Sequence, residues 1–285
     1  MKQPQSFWAL VRTLSEKLGY TNRAVWGAPR GSSTVKVHTV EQMAAGLANL
    51  GLNPSLVLFN GRPTELGTRL QYYFSYRACA LINEVEPNLM DGPAARALFD
   101  QLYARVNPPR CCPIPMNKQR GAMAAPAFLT GLVNMLVYEA IGNAVCDYAP
   151  GQLTTFTRNG VPLRTLARRV DGAFPSAVNP IAVWEIKEYY YTTTFGSRVA
   201  DGVYETLLDG LELDELEQNE QVRAEHVLIV DSHFTWWVCG KSYLCRMIDM
   251  LNMGLVSEVI FGREVVDRMP ILARGWMEKA HFAQY

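Results

Sequence analysis

The sequence has no apolar run near the ~20 residues that a membrane-spanning helix needs. Its start, "MKQPQSFWALVRTLSEKLGY", reads as an amphipathic helix rather than a signal peptide. A soluble protein of the cytoplasm is therefore expected. Six cysteines (79, 111, 112, 146, 239 and 245) include no CxxC pair and no His/Cys cluster at zinc spacing, which argues against a disulfide framework and a structural zinc. "GAPRG" and "GRPTELG" have too few glycines, wrongly spaced, for a phosphate loop. No repeat or low-complexity stretch is present. Net charge is lacking too: 27 Lys and Arg stand against 27 Asp and Glu, so overall basicity offers no argument for a nucleic-acid ligand.

That zero is an average over an uneven chain. Residues 205–220, "ETLLDGLELDELEQNE", hold seven acids and no Lys or Arg. Without them 27 basic residues face 20 acidic ones, and the surplus gathers at 1–38, 105–120 and 158–169. A phosphate ligand responds to local potential more than to the total. The plain alternative for each patch is a solvated face, and the acidic stretch reads as a solvated helix face lying away from any DNA.

What is there is 285 residues with 49% hydrophobic and 19% charged content, enough for a sizeable core in one large domain or two modest ones. The first ~100 residues have helical spacing. Thr39 and Gln42 stand at capping-box spacing, Val40, Met43, Leu47 and Leu50 follow the helical period, and Gly51 falls at the C-terminal cap. Residues 64–82 and 91–106 read as two more helices, the second opened by Asp91 before Pro93. The segment 106–128 carries five prolines and little periodicity, so a boundary is expected there, with regions 1–125 and 126–285.

The second region alternates. A helix at 126–147 precedes an Asn159-Gly160 hairpin signal. "NPIAVWEIKEYYY" is β-branched and aromatic, hence strand. A helix after Gly196, the strand "HVLIVDS", the helix "GKSYLCRMIDMLNM", the strand "LVSEVIFG" and a helical tail follow. The fold class expected is α/β, a mixed central β-sheet flanked by helices, behind a mainly helical N-terminal region.

Two residues apart on a strand, Glu185 and Lys187 project from one face, with Trp184 and Ile186 on the other. If "RRVDGAF" pairs antiparallel with "AVWEIKE", Asp171 comes beside Glu185. Two carboxylates and an amine then converge, as a hard divalent cation and a phosphate require. The alternative is a strand-end ion pair with Asp171 capping a turn before Gly172. Asp231, Ser232 and His233 hold triad letters but are adjacent on one strand and cannot converge. Trp236-Trp237 reads as core.

Asp171, then Glu185-x-Lys187, preceded by a helix bearing Glu139, resembles the PD-(D/E)xK nuclease superfamily over roughly residues 126–262. The resemblance implies a helix, three strands, a helix and a further strand. It also implies that Asp171 and Glu185 bind Mg²⁺ (Mn²⁺ substituting), that Lys187 assists the attacking water, and that Glu139 completes the site; by the residues alone Glu139 is as readily a surface glutamate. Val170 stands where the superfamily often has proline. The helix after Gly196 offers Ser197, Arg198 and Tyr204.

A large N-terminal region before such a core is similar to type II restriction endonucleases. This implies a Mg²⁺-dependent endonuclease on double-stranded DNA, working as a homodimer or a heterodimer with a related subunit because one such site cuts one strand. Phosphate and groove contacts are expected from Arg23, Arg30 and Lys36, from Arg110, Lys118 and Arg120, and from Arg198. A repair, mobile-element or RNA-directed nuclease of the same fold is the nearer alternative. A non-catalytic α/β binding or scaffold protein is the farther one.

Overall fold

Short-range chemistry sets several element ends. Thr39 Oγ1 accepts from the Gln42 amide at 3.3 Å, and Gln42 Oε1 accepts from the Thr39 amide at 3.1 Å, so the expected capping box forms. Asp91 accepts from the Ala94 amide at 2.9 Å ahead of Pro93. Asn159 and Gly160 take φ of 54° and 78°, the pair of left-handed residues that a two-residue hairpin turn needs.

In the computed structural model, residues 3–22, 26–117, 119–121, 124–191 and 196–282 are described, the Arg198 side chain excepted. The chain is mixed α/β with a mainly helical N-terminal region. It runs through α1 (Gln5–Leu18), α2 (Val40–Asn49), the short strands β1 (Leu58–Phe59) and β2 (Arg62–Pro63), α3 (Glu65–Ala80), α4 (Gly92–Val106) and α5 (Phe128–Ile141). There follow β3 (Thr155–Arg158), β4 (Val161–Thr165), β5 (Gly172–Phe174), β6 (Ala182–Glu188), α6 (Ser197–Glu220), β7 (Glu225–Asp231), α7 (Lys241–Met253), β8 (Glu258–Phe261) and α8 (Val265–Phe282). No helix of the described residues is long and apolar enough to cross a membrane.

Two compact units divide the chain, and the division differs from the one expected at 125. Unit 1 is Met1–Pro87 with Trp236–Gly254; unit 2 is Asn88–Thr235 with Leu255–Tyr285. The Pro-rich loop is not a boundary because it is folded onto unit 2: the Asn117 amide donates to Ala125 O and the Ala127 amide to Pro115 O, both at 2.8 Å, and Asn134 Nδ2 on α5 donates to Pro113 O at 2.8 Å. Helix α4 also belongs to unit 2, through Phe99 and Leu102 in the core with Phe128, Leu129 and Leu132. Gly131 marks that contact, for a Cβ there would lie 2.5 Å from the Phe99 ring.

Unit 1 packs Phe7, Val11 and Leu14 of α1 on Val40, Met43 and Leu47 of α2 and on Leu70 and Phe74 of α3. Helix α7 joins them through a buried polar pair. Arg77 Nη1 lies 3.0 Å from both carboxylate oxygens of Asp249, Tyr73 Oη donates to Asp249 at 2.6 Å, and Ser15 Oγ accepts from Arg77 at 3.2 Å. The guanidinium carbon lies 5.3, 6.0 and 5.0 Å from the ring centroids of Tyr20, Tyr73 and Phe74.

Unit 2 is built on a four-stranded sheet in the order β5-β6-β7-β8, with β5 antiparallel to β6 and the other neighbours parallel. Four strands stand before α6 where three were expected: β5 and β6 lie in this sheet, and β3 and β4 form a separate hairpin. Alternation assigns the faces of β6. Trp184 joins the core with α5 and α8, its indole stacked on Trp276 at 5.5 Å, while Val183 packs with Leu213 and Leu216 of α6. Burying side chains of this size stabilises by ~1.5–3 kcal/mol each. Gly172 stands opposite Trp184, and a Cβ at 172 would fall 2.0 Å from the indole. The glycine after Asp171 is therefore what lets β5 close on β6.

Candidate active site

Asp171 sits where β5 begins to pair with β6. Its amide donates to Trp184 O at 3.1 Å and its Oδ2 accepts from the Ile186 amide at 2.7 Å, which extends the ladder with a side chain and brings the carboxylate beside Glu185. The expected antiparallel pairing is thus present. Asp171 is exposed on one side but crowded by protein on the other. Its pKa is raised, first by desolvation and then by the neighbouring Glu185 charge.

Glu185 and Lys187 share the face of β6 that meets α6, as alternation requires. Both are buried, and Lys187 Nζ donates to Glu185 Oε2 at 2.9 Å. A second cation reaches the same carboxylate. Arg168, in the loop before β5, donates from Nη2 to Glu185 Oε2 at 2.9 Å, and its Nη1 lies 2.9 Å from Oε1. Two acids of α6 complete the group: Asp209 Oδ2 accepts from Arg168 Nη1 at 2.6 Å, and Glu205 Oε2 lies 3.3 Å from Arg168 Nη2 and 3.4 Å from Lys187 Nζ.

Four carboxylates and two cations meet here, two negative charges in excess when all are ionised. Burial pushes Glu185 up, but Lys187 and Arg168 together outweigh it and hold its pKa below the usual carboxylate range. Burial pulls the Lys187 ammonium down, and Glu185 more than restores it. Asp209 goes the other way, pushed up to about 7 by desolvation that Arg168 only partly offsets and that Glu185 reinforces. Glu185 Oε1 and Asp209 Oδ1 are buried without a hydrogen bond, Oε1 having only the ion-pair contact with Arg168.

Such oxygens are the donors a hard cation takes, and the excess charge matches a divalent ion. Asp171, Glu185 and Asp209 are of the donor type that Mg²⁺ takes, while Glu185 is held by two cations. Among the described residues no three His, Cys, Asp or Glu side chains form a ready-made metal cage.

Glu139 is a correction. It is exposed on α5 and paired with Arg105 at 2.6 Å. Helix α5 packs on the Trp184 face of β6, so Glu139 is not brought to Glu185. The acid that does join β6 to α5 is Glu188. It accepts from the Thr130 amide at 3.2 Å and from Thr130 Oγ1 at 3.3 Å, capping a helix whose own N-cap, Ala127, has no side chain to do so. Desolvation raises the Glu188 pKa to about 7.

The acidic stretch of α6 is also not merely solvated. Arg158 pairs with Glu220 at 3.2 Å, Arg164 pairs with Glu215, and Glu212 accepts from the Ala167 amide at 3.0 Å, so the basic segment 158–169 is largely neutralised from within. Arg30, Arg110 and Arg120 are exposed, whereas Lys36 is half-buried and donates to Leu18 O at 2.6 Å. That bond ties Lys36 to the end of α1 and removes it from the surface cations. Arg23, Lys118 and the side chain of Arg198 lie outside the described residues. Ser197 opens α6, Tyr204 is exposed on it, and the two tryptophans 236 and 237 are buried.

Sequence reasoning missed Arg168, Glu205, Asp209 and Glu188. The available signal was spacing: Glu205, Asp209, Glu212 and Glu220 fall at i, i+4, i+7 and i+15, one stripe of a helix.

The chain belongs to the domain-of-unknown-function family DUF7687, whose model matches residues 90–276. A second domain of unknown function, DUF7690, matches residues 1–84, so the family limits fall beside the Pro87 division. No curated protein and no solved structure matches it.

Proposed function

We propose that the protein is a Mg²⁺-dependent endodeoxyribonuclease that hydrolyses phosphodiester bonds in double-stranded DNA at specific sites, as type II restriction endonucleases do. One observation carries this reading: pairing of β5 with β6 brings Asp171, Glu185 and Lys187 together at a junction rich in excess carboxylate. The sheet order, with α5 before it and α6 between β6 and β7, supports a restriction-endonuclease-like core.

On this reading Asp171 and Glu185 would hold the cation, which would supply positive charge for the phosphate oxygens and make an attacking water more acidic. Lys187, kept protonated by Glu185, orients the water and offsets the charge growing on phosphorus. Unit 1 has eleven Lys and Arg against six Asp and Glu, so it is the more basic unit and the more favourable for DNA phosphates. Arg30, Arg110 and Arg120 are exposed for such contacts. The enzyme acts in the cytoplasm, as a homodimer or with a related subunit.

A second reading, a charge network on a non-catalytic binding protein, draws on one observation: Glu185 already has a guanidinium and an ammonium on it. Incubation with plasmid and genomic DNA in Mg²⁺ or EDTA separates the two. Discrete Mg²⁺-dependent fragments, lost in Glu185→Ala and Lys187→Ala, are expected. Intact DNA and RNA throughout, or cleavage that survives both substitutions, overturns the nuclease.

A further inference from the structure

Arg168 has an unusual set of partners. Its two terminal nitrogens contact three carboxylates, Glu185, Asp209 and Glu205, and its side chain is 23% exposed against 8% for Lys187. Glu185 and Asp209 are fully buried; Glu185 Oε1 has only the Arg168 ion-pair contact, and Asp209 Oδ1 has no hydrogen-bond partner. A buried carboxylate oxygen without a donor is costly, and a bound ion is one of the few arrangements that accounts for it.

We propose that Arg168 is a displaceable counter-ion: its guanidinium holds Glu185 and Asp209 before a divalent cation binds between them, and then passes to the substrate phosphate. This rests on the nuclease reading and adds Asp209, from α6, as a carboxylate of the same centre.

Charge supports the exchange. A divalent ion bound between Glu185 and Asp209 takes over the guanidinium's part in offsetting those two carboxylates, which frees Arg168 for the single negative charge of an incoming phosphodiester. Arg168 is the cation with access to the rim. Its fork of two N–H groups, which now fits the two oxygens of Glu185, equally fits two oxygens of a phosphate. Lys187 presents a point charge and is enclosed by α6, where a Cβ on Gly202 would come 3.3 Å from its Cδ.

The test is an Mn²⁺ titration of the full chain, followed by thermal shift, beside single-turnover cleavage of plasmid DNA. Arg168→Gln is expected to lower the half-saturating Mn²⁺ concentration by about tenfold, the direction that loss of a competing charge a few ångströms away dictates. Its cleavage at saturating Mn²⁺ is expected to fall by roughly 100-fold. Arg168→Lys keeps the competing charge but loses the fork, so half-saturation stays within about threefold of wild type while cleavage drops. Asp209→Asn raises half-saturation by about tenfold.

A wild-type response abolished by Glu185→Gln but unmoved, or weakened, by Arg168→Gln overturns the counter-ion role and leaves the nuclease standing. If Arg168→Gln does not fold, the other two variants decide: unchanged half-saturation in Asp209→Asn, or unchanged cleavage in Arg168→Lys, overturns the proposal. No Mn²⁺ response in the wild type overturns the nuclease reading with it.

Discussion

Arg77 in unit 1 and Arg168 in unit 2 are both drawn out of water, and their surroundings differ in kind. Arg77 is 0% exposed, meets one carboxylate, and is enclosed by three aromatic rings. Its charge is matched one to one. Arg168 is 23% exposed, meets three carboxylates, and has no aromatic ring among its described contacts. A closed, balanced pair has nothing left to bind, because each charge already has its counter-charge and the rings exclude water. An open cluster with surplus acid is an incomplete set, which on the function proposed above a cation completes. Burial alone does not separate structural from functional ionic groups; stoichiometry and access do.

Removing Arg77 is expected to have the largest effect. Arg77→Met leaves Asp249 buried without its cation and lowers stability by about 3–5 kcal/mol, read from urea unfolding. Adding Asp249→Asn returns much of that loss, because the uncompensated charge causes most of it. A single variant as mild as a surface substitution would erase the contrast. Arg168→Gln costs less, roughly 2 kcal/mol, since Glu185 keeps Lys187 and the rim admits water. Mn²⁺ restores its melting temperature and leaves that of Arg77→Met unmoved; rescue of both, or of neither, breaks the comparison.

The same distinction extends to pH. Glu188, with its pKa raised to about 7, binds a proton in the folded state that the unfolded chain releases from about pH 4.5 upward. Its contribution is therefore present at the acid end and lost as pH rises through 7. Glu185, held below the usual range, contributes above about pH 4.5 and loses that contribution as pH falls through its folded value. Glu188→Gln is expected to flatten the dependence of melting temperature on pH between 5 and 7.5, an effect on the order of 1–2 kcal/mol. An unchanged slope assigns it to other groups. Thr39→Ala, which removes only the α2 cap in unit 1, is the smallest change, about 1 kcal/mol, with Mn²⁺ response intact.

What the letters disclosed was local. The Thr39–Gln42 box, the Asp91 cap, the Asn159-Gly160 turn and the parity that puts Glu185 with Lys187 all depend on residues within a few positions of each other. Even the pairing of β5 with β6 spans one short turn. What they concealed was long-range. Arg168 meets Asp209 across 41 positions, and Glu188 reaches Thr130 across 58. No periodicity encodes such meetings. Glu139 was misplaced for the same reason: a helix pattern tells which positions share a face, and only packing tells which face of the sheet receives the helix. The acids of α6 were visible as a run, but a run without its partners reads as a surface.

Helix α7 carries a consequence for synthesis. Residues 236–254 belong to unit 1, although 148 residues of unit 2 are translated between Pro87 and Trp236. Until Asp249 emerges, Arg77 has no counter-charge and α3 has no α7 to pack against. At ordinary elongation rates the first 87 residues wait on the order of ten to thirty seconds for their last helix. A fragment ending at residue 87 stays permanently in that waiting state, with a cation where its core should close. Supplying 236–254 as a separate peptide is the direct way to complete it.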